Sequence, residues 1–195
     1  MDCLFAISGN DYVIVAADKS VTQSIIKMQD DDEKIVQIGE KQLLASSAEV
    51  STRKDFTKQI KANLQYNYYR YNTPLLTSES AQFTRYTVAD SLRSKHPFQV
   101  ASIVAGVDDG VPSLYLIEQL GGMEKVTKAV LGYASHFLYG LMDSCYKKDF
   151  NLEDGKDCIK KCIFELKTRF LVNIKAFDVF VISKDGISNI SNEFN

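Results

Sequence analysis

The unbroken apolar run YVIVAA at residues 12–17 constrains the fold more than any other feature of this chain. Successive side chains of a β-strand point to opposite sides of the sheet, so such a strand is apolar on both faces. A short apolar run at residues 2–8 precedes it across the turn sequence Gly9-Asn10-Asp11, which predicts a β-hairpin. We therefore expect other layers to cover both faces of the sheet that contains this hairpin.

Two helices are predicted after the first group of strands. Apolar residues recur at every fourth position within residues 51–71, which indicates a helix with one buried stripe. The stripe consists of Phe56, Ile60, Leu64 and Tyr68. Residues 77–94 predict a second helix, with Thr77 as its N-cap and Glu79 in its first turn. Pro97 limits this helix, because the residue before a proline disfavours helical backbone.

The remaining sequence repeats this order of strands followed by helices. Strands are predicted before these two helices at residues 34–38 and 42–47. Further strands are predicted after them at residues 99–105, 113–120, 125–130, 177–183 and 187–190. A polar connection that includes DDDE at residues 30–33 follows the first hairpin. A third helix is predicted from residue 134 and a fourth after Asn151, which can cap it. Their predicted apolar stripes are Phe137, Leu141 and Cys145 in the third helix, and Ile159, Ile163 and Leu166 in the fourth.

The order of these elements predicts the fold class. Strands and helices that occur in separate blocks favour antiparallel sheets over alternating βαβ units. Two sheets with apolar faces can be stacked on each other, and each helix pair can cover one outer face. We therefore predict an α+β fold, a four-layer αββα sandwich. No linker, repeat or low-complexity tract divides the sequence, so residues 1–195 are predicted to form a single domain.

Composition excludes several classes of function. The 23 Lys and Arg residues against 25 Asp and Glu residues give a net charge of −2, which argues against nucleic-acid binding. No apolar run is long enough to span a membrane, and no signal peptide is visible. The four cysteines, Cys3, Cys145, Cys158 and Cys162, are too scattered for a disulfide scaffold and predict buried free thiols in a reducing compartment. Neither histidine is spaced from these cysteines as metal ligands are, so no metal site is predicted.

Several segments resemble one protein family. Residues 4–7 (LFAI) and 13–18 (VIVAAD) resemble the first hairpin of proteasome β subunits. Residues 139–143 (YGLMD) and 185–187 (DGI) are similar to a later helix and the final hairpin of that family. One branch of the family is indicated by the start at Met1-Asp2 and by four strings, SVT at 20–22, DDEK at 31–34, ANLQ at 62–65 and, most specific, SLRSKHPFQV at 91–100. The resemblance covers essentially the whole chain and implies the N-terminal-nucleophile (Ntn) hydrolase fold, which is the same four-layer sandwich.

The resemblance also implies where a catalytic site would lie. Active members attack the peptide carbonyl with the hydroxyl of an N-terminal threonine, whose own amino group accepts the proton. The equivalent position here is Asp2, which is not a usable nucleophile and which Met1 leaves without a free amine. Asp18 and Lys34 match the supporting aspartate and lysine of the family. Its oxyanion-hole glycine, its orienting serine and its second aspartate are replaced by Glu49, Tyr133 and Phe170.

These replacements predict a non-catalytic structural β subunit of the 20S proteasome core particle. Such a subunit builds the β ring and encloses the chamber for ATP- and ubiquitin-dependent protein degradation. The resemblance implies contacts with other β subunits of the ring, with α-ring subunits and with a β subunit of the opposite ring. It also implies location in cytoplasm and nucleus, with no cofactor, metal, nucleic acid or membrane. Candidate contact surfaces are a tyrosine-rich helix segment (Tyr66, Tyr68, Tyr69, Tyr71), residues 137–142 and residues 190–195.

Two other functions stay open on the sequence. An autonomous N-terminal-nucleophile peptidase of the same fold would need a processed Thr, Ser or Cys at its first residue. Cys3 is the nearest such residue, and it is predicted to be a core thiol within a strand, with its amine in a peptide bond. An unrelated small-molecule-binding α+β domain would instead be a soluble monomer with a ligand pocket.

Overall fold

The described part of the chain contains two five-stranded antiparallel sheets, one small hairpin and four α-helices. The computed structural model describes residues 2–24, 26–147 and 149–194. The strands are β1 (Cys3–Ser8), β2 (Tyr12–Asp18), β3 (Val21–Gln23), β4 (Ile26–Gln29), β5 (Ile35–Gly39), β6 (Gln42–Ser47), β7 (Ala101–Asp108), β8 (Val111–Ile117), β9 (Met123–Lys125), β10 (Lys128–Gly132), β11 (Phe177–Ser183) and β12 (Gly186–Asn189). The helices are α1 (Val50–Tyr71), α2 (Thr77–Ser91), α3 (Ser135–Cys145) and α4 (Leu152–Arg169), and a short 3₁₀ turn covers Ser191–Glu193.

Alternation of side chains along β1 and β2 builds the layers. Leu4 and Val13 point into a core between the two sheets, where they join residues of β6, β7 and β8. Phe5 and Ile14, one residue further along each strand, point into a second core beneath α3 and α4. A third core, which includes Phe56 of α1, lies between α1, α2 and the other sheet. The layers are therefore helix, sheet, sheet and helix, and the predicted αββα sandwich is confirmed.

The first sheet has the strand order β10-β1-β2-β11-β12, and the second has the order β5-β6-β7-β8-β9. β1 and β2 pair in the register Leu4↔Ala17, which confirms the predicted hairpin across the Gly9-Asn10-Asp11 turn. β10 lies on the other side of β1, with Gly132 opposite Cys3. This arrangement places the start of β1, the end of β2 and the end of β10 at one edge of the sheet.

Two strand predictions were incomplete. The polar connection after β2 contains a hairpin of β3 and β4, in which the side chains of Ile26 and Met28 are 64% and 65% exposed. The strand predicted at residues 125–130 is two strands, because β9 pairs with β8 in one sheet and β10 pairs with β1 in the other. The chain changes sheet between them at Val126 and Thr127, whose backbone groups bond to Leu114 and Ser8 respectively.

Two details of the helices also differ from the predictions. Thr77 is the first residue of α2 rather than its N-cap, and its amide and hydroxyl both donate to the carboxylate of Asp108. A side chain from β7 thus caps this helix, so local sequence could not reveal the cap. In α3 the buried residues are Leu138 and Met142, one position beyond the predicted stripe that starts at Phe137. Apolar residues occupy both sets of positions, and packing against the first sheet determines which set is buried.

The remaining helix predictions are confirmed except at Tyr68. The side chain of Asn151 accepts a hydrogen bond from the amide of Asp154 at 2.9 Å and so caps α4. The predicted stripe of α4 is buried, as are Phe56, Ile60 and Leu64 of α1. Tyr68, the last member of the predicted α1 stripe, is 46% exposed, and the buried residues of α1 end at Leu64. Within the described residues, no helix combines the length and apolar character needed to cross a bilayer.

Gly155 of α4 allows close packing against β2. The buried Tyr12 donates its hydroxyl to the carbonyl oxygen of Asn151 at 2.7 Å, and a Cβ at Gly155 would overlap that hydroxyl. Gly155→Ala should therefore destabilise the fold by about 1–3 kcal/mol through overpacking. Gly140→Ala is the matched control, because Gly140 also lies within a helix but a Cβ there meets nothing. The control should stabilise by roughly 0.5–1 kcal/mol.

Thermal unfolding of the two variants within the assembly that contains the chain measures this difference. Equal effects of Gly155→Ala and Gly140→Ala would show that the Tyr12 contact does not restrict α4.

Candidate functional site

Three of the predicted site residues meet at the sheet edge where β1 begins and β2 ends. Asp2 precedes β1, Asp18 is the last residue of β2, and Lys34 immediately precedes β5. The ammonium group of Lys34 lies 2.9 Å from an oxygen of Asp2 and 2.8 Å from an oxygen of Asp18. The structure therefore brings together the residue at the nucleophile position and the two matched supporting residues.

Three oxygen atoms surround the ammonium group of Lys34. Lys34 donates hydrogen bonds to Asp18 Oδ1 and, at 2.7 Å, to the carbonyl oxygen of Ser20, and it forms an ion pair with Asp2 Oδ1. The side chain is fully buried, so water does not compete for these contacts. Lys34 is thus a structural cation held between two carboxylates.

Asp18 is equally well bound. One carboxylate oxygen accepts from the amide of Cys3 at 2.7 Å and from Lys34, and the other accepts from the amide of Ser20 at 3.1 Å. Burial raises the pKa of the Asp18 carboxyl, while the charge and hydrogen bond of Lys34 favour the ionised form. The bonds to Cys3 and Ser20 fix the ends of β1 and β2 relative to each other. Asp18 therefore holds the corner of the sheet together.

The carboxylate of Asp2 takes part in a wider network. Besides Lys34, it accepts a hydrogen bond from the hydroxyl of Ser47 at 3.0 Å, and Arg53 Nη1 lies 3.6 Å from its Oδ2. The side chain is only 13% exposed. Gly132 at the end of β10 lies so close to the carbonyl oxygen of Asp2 that a Cβ there would overlap it, and its φ of +75° also favours glycine. Asp2 is therefore confined by packing and by two cations.

Sequence reasoning missed three members of this network, Ser47, Arg53 and Asp32. Arg53 and Asp32 are buried, and Arg53 Nη2 forms an ion pair with the carboxylate of Asp32. Lys54 approaches the other oxygen of Asp32 at 3.5 Å but is 60% exposed. A signal was available, because Arg53 precedes Phe56 and Ile60 on the buried stripe of α1. A charged residue in such a position needs a buried partner.

The side chains at the three replaced positions take part in none of the hydrogen bonds or ion pairs of this network. Glu49 is exposed just before α1 and accepts hydrogen bonds from the hydroxyls of Ser51 and Thr52. Tyr133 follows β10 and is 55% exposed. Phe170 follows α4, and its ring packs edge-on against that of Phe137, with the ring centroids 6.2 Å apart.

Cys3 does not supply an alternative nucleophile. Its side chain is fully buried in the core beneath α3 and α4, and its amide is bonded to Asp18. Burial, together with the negative charge of Asp18, strongly raises the pKa of the thiol. Because the thiolate is the reactive form of cysteine, this thiol is held in its unreactive form. The predicted core thiol is confirmed.

The site has the chemistry of a neutralised structural network. Its cations and carboxylates are paired, and the hydroxyl of Ser47 donates a hydrogen bond to Asp2. A surface cleft of about 550 Å³ lies elsewhere, between Lys19, Asp30, Asp178 and Ser191. Among the described residues, no group of three or more His, Cys, Asp or Glu side chains is placed to hold a metal ion.

Comparisons with known proteins show which family the chain resembles. A family model described as "Proteasome subunit" matches residues 2–182. Proteasome subunit beta type-2 of Dictyostelium discoideum is 41% identical over 191 residues, which are 96% of this chain and 96% of the relative. The type-2 subunit of Oryza sativa subsp. japonica is 36% identical over 187 residues, covering 95% of this chain and 88% of the relative. Proteasome subunit beta type-4 of Saccharomyces cerevisiae is 32% identical over 192 residues, with 97% of both chains covered.

Proposed function

This chain belongs to the proteasome subunit family, and on that premise we propose that it is a non-catalytic β subunit of the 20S core particle. Its similarity to subunits named beta type-2 and type-4 supports the fourth position of the β ring. In that position the chain builds the ring and the chamber wall for ATP- and ubiquitin-dependent degradation. Its partners are neighbouring β subunits, α-ring subunits and a β subunit of the opposite ring, in the cytoplasm and the nucleus.

The bonding of Lys34 carries the proposal that the subunit is non-catalytic. In a catalytic site the lysine would stabilise charge on the nucleophile. Here it is already hydrogen-bonded to Asp18 and Ser20 and paired with Asp2, whose carboxylate occupies the position of the nucleophile. A carboxylate that two buried cations hold in place is not a nucleophile for attack on a peptide carbonyl.

An autonomous peptidase of the same fold has no support at this site. Such an enzyme needs a hydroxyl or thiol nucleophile within reach of a base. Around Asp2 the described residues offer the hydroxyl of Ser47, which donates to Asp2 itself, and the buried thiol of Cys3. Both exposed histidines, His96 and His136, lie outside the network.

Exposed apolar side chains support a role in assembly. Tyr66 and Tyr69 near the end of α1 are 62% and 80% exposed, and the predicted exposure of the tyrosine-rich segment is confirmed. At the end of α4, Phe164 and Leu171 are 69% and 79% exposed. Aromatic residues are enriched in protein interfaces and costly on a free surface. The third candidate surface, residues 190–195, ends at Asn195, which lies outside the described residues.

Expression of the chain alone and with the other ring subunits tests the role in assembly. Alone, the chain should aggregate or remain bound to chaperones, because obligate interfaces are larger and more apolar than ordinary surface. Co-expression with the other ring subunits should bring it into the soluble fraction as part of a large complex. Size-exclusion chromatography with immunodetection measures the distribution. Co-expression with an unrelated ring-forming protein is the control and should leave the chain insoluble.

A stable monomer that unfolds cooperatively at micromolar concentration would contradict a role as an obligate ring subunit. It would instead favour an autonomous domain.

A further inference from the structure

Strand β10 forms one outer edge of the first sheet, because among the described strands it pairs with β1 alone. An open edge presents backbone N–H and C=O groups that can pair with a strand of another chain. Proteins block such edges with very short strands, with charged side chains, or with a helix or loop that covers them. In this fold, side chains of α3 contact the outer edge of β10.

The hydroxyl of Tyr139 takes the place of a missing partner strand at Val130. It accepts a hydrogen bond from the Val130 amide at 3.3 Å and donates one to the Val130 carbonyl oxygen at 3.4 Å. In an antiparallel pair, a residue exchanges the same two kinds of bond with the residue opposite it. Because a tyrosine hydroxyl can donate and accept at once, one side chain satisfies both backbone groups of Val130.

Two further side chains of α3 reach the same strand. Ser135 donates its hydroxyl to the carbonyl oxygen of Gly132 at 2.9 Å. Asp143 forms an ion pair with the ammonium group of Lys128. Together with Tyr139, they occupy every fourth position of α3, and residues with this spacing lie on one side of a helix. α3 therefore directs one polar stripe along the edge of β10.

The spacing of this stripe matches the spacing of the strand. Two residues of a β-strand span about 6.6 Å, and four residues of an α-helix span about 6 Å. Successive members of the stripe therefore meet Gly132, Val130 and Lys128 in turn, with α3 running opposite to β10. Leu138 and Met142, the buried residues of α3, pack against the first sheet and fix the rotation of the helix.

We propose that α3 is an edge guard, in which Ser135, Tyr139 and Asp143 occupy the outer edge of β10 and prevent a strand of another chain from adding to the first sheet. The sheet needs such protection, because β1 and β2 beside β10 are almost entirely apolar and every residue in them is buried. An apolar sheet with an open edge promotes aggregation. This role belongs to the chain by itself and does not depend on its place in a ring.

Hydrogen exchange at the Val130 amide tests whether Tyr139 protects the edge. The full chain is measured in the assembly with which it co-purifies, by mass spectrometry with fragmentation that resolves single amides. In the unaltered chain this amide should be protected. Tyr139→Phe keeps the ring but removes the hydroxyl, and should speed exchange about two- to tenfold, as expected for the loss of one hydrogen bond. Tyr133→Phe is the matched control, because Tyr133 lies outside the stripe and is 55% exposed.

Cross-linking between copies tests whether the guard prevents strand addition. Isotopically light and heavy copies of the full chain are refolded together by dilution and treated with an amine cross-linker. Antiparallel pairing of two β10 strands about Val130 would place their Lys128 residues about 14 Å apart, within reach of common reagents. The share of light–heavy links that join Lys128 to Lys128 should rise about fivefold or more in the double variant Ser135→Ala/Tyr139→Phe, since two competing hydrogen bonds are removed.

The control for the double variant makes the same two chemical changes elsewhere, at Tyr133→Phe/Ser144→Ala. The Ser144 hydroxyl bonds within α3, to the carbonyl oxygen of Leu141, so its loss leaves the edge of β10 covered. The control should give the same share of Lys128 links as the unaltered chain. Unchanged exchange in β1 and β2 shows that each variant keeps its fold.

The proposal is overturned if the Val130 amide exchanges as fast in the unaltered chain as in Tyr139→Phe. It is also overturned if the double variant and its control give the same share of Lys128 links. Should the double variant not fold, Tyr139→Phe is compared with Tyr133→Phe in the cross-linking experiment, and the share should then rise about twofold. An equal share in those two single variants would overturn the proposal as well.

Discussion

Replacing Lys34 with methionine should destabilise the fold by about 3–5 kcal/mol, because it leaves two buried carboxylates without their shared cation. Asp2 and Asp18 both face the ammonium group of Lys34, and Asp18 is as deeply buried as Lys34 itself. A loss of this size is a large part of the roughly 5–15 kcal/mol that stabilises a typical domain. We therefore expect little of the variant chain in the assembled complex. The measurement is the fraction of the chain in the complex, relative to total chain, by quantitative mass spectrometry.

Lys54→Met is the matched control for this variant. Lys54 also approaches an aspartate, Asp32, at 3.5 Å, but its side chain is 60% exposed. Exposed ion pairs contribute only about 0–1 kcal/mol, so incorporation of the control should be close to normal. Adding Asp2→Asn and Asp18→Asn to Lys34→Met removes the uncompensated charges and should restore part of the lost incorporation.

Normal incorporation of Lys34→Met would show that the buried network does not stabilise the chain. In any complex that does assemble with the variant, peptidase activity per particle should stay within about twofold of normal. In a catalytic site, by contrast, loss of one such electrostatic group costs about 10²–10³ in rate.

Much of the fold was predictable because its signals are local. The run at residues 12–17 requires cover on both faces of β2, and the Gly9-Asn10-Asp11 turn sets the β1–β2 register. The predictions failed where another element decides the outcome. Asp108 of β7 caps α2, and the crossing from β9 to β10 depends on which sheet offers a partner. Neither partner is near in the sequence.

The site was predictable only in part, for a similar reason. Resemblance to a family identified Asp2, Asp18 and Lys34, which the structure brings together. It gave no indication that Arg53 and Ser47 also hold Asp2, since these contacts depend on how α1 and β6 reach the corner of the other sheet. Those contacts show that the carboxylate of Asp2 is bound within a structural network.

The second prediction with a large expected effect concerns covalent labelling of this chain within the intact proteasome particle. A covalent inhibitor directed at N-terminal threonine requires a hydroxyl nucleophile and a nearby amine that accepts its proton. At the corresponding position this chain presents the carboxylate of Asp2, held by Lys34 and Ser47. The nearest thiol, that of Cys3, is buried and kept protonated. We therefore expect complete labelling of reactive β subunits in the same particle and none of this chain.

Intact-mass spectrometry of every subunit, after treatment of the purified particle with that inhibitor, tests the non-catalytic assignment most directly. The labelled β subunits in the same sample are the positive control for inhibitor access. This chain should retain the mass that it has in the untreated particle. A stoichiometric inhibitor adduct on any residue of this chain would contradict its assignment as a non-catalytic β subunit.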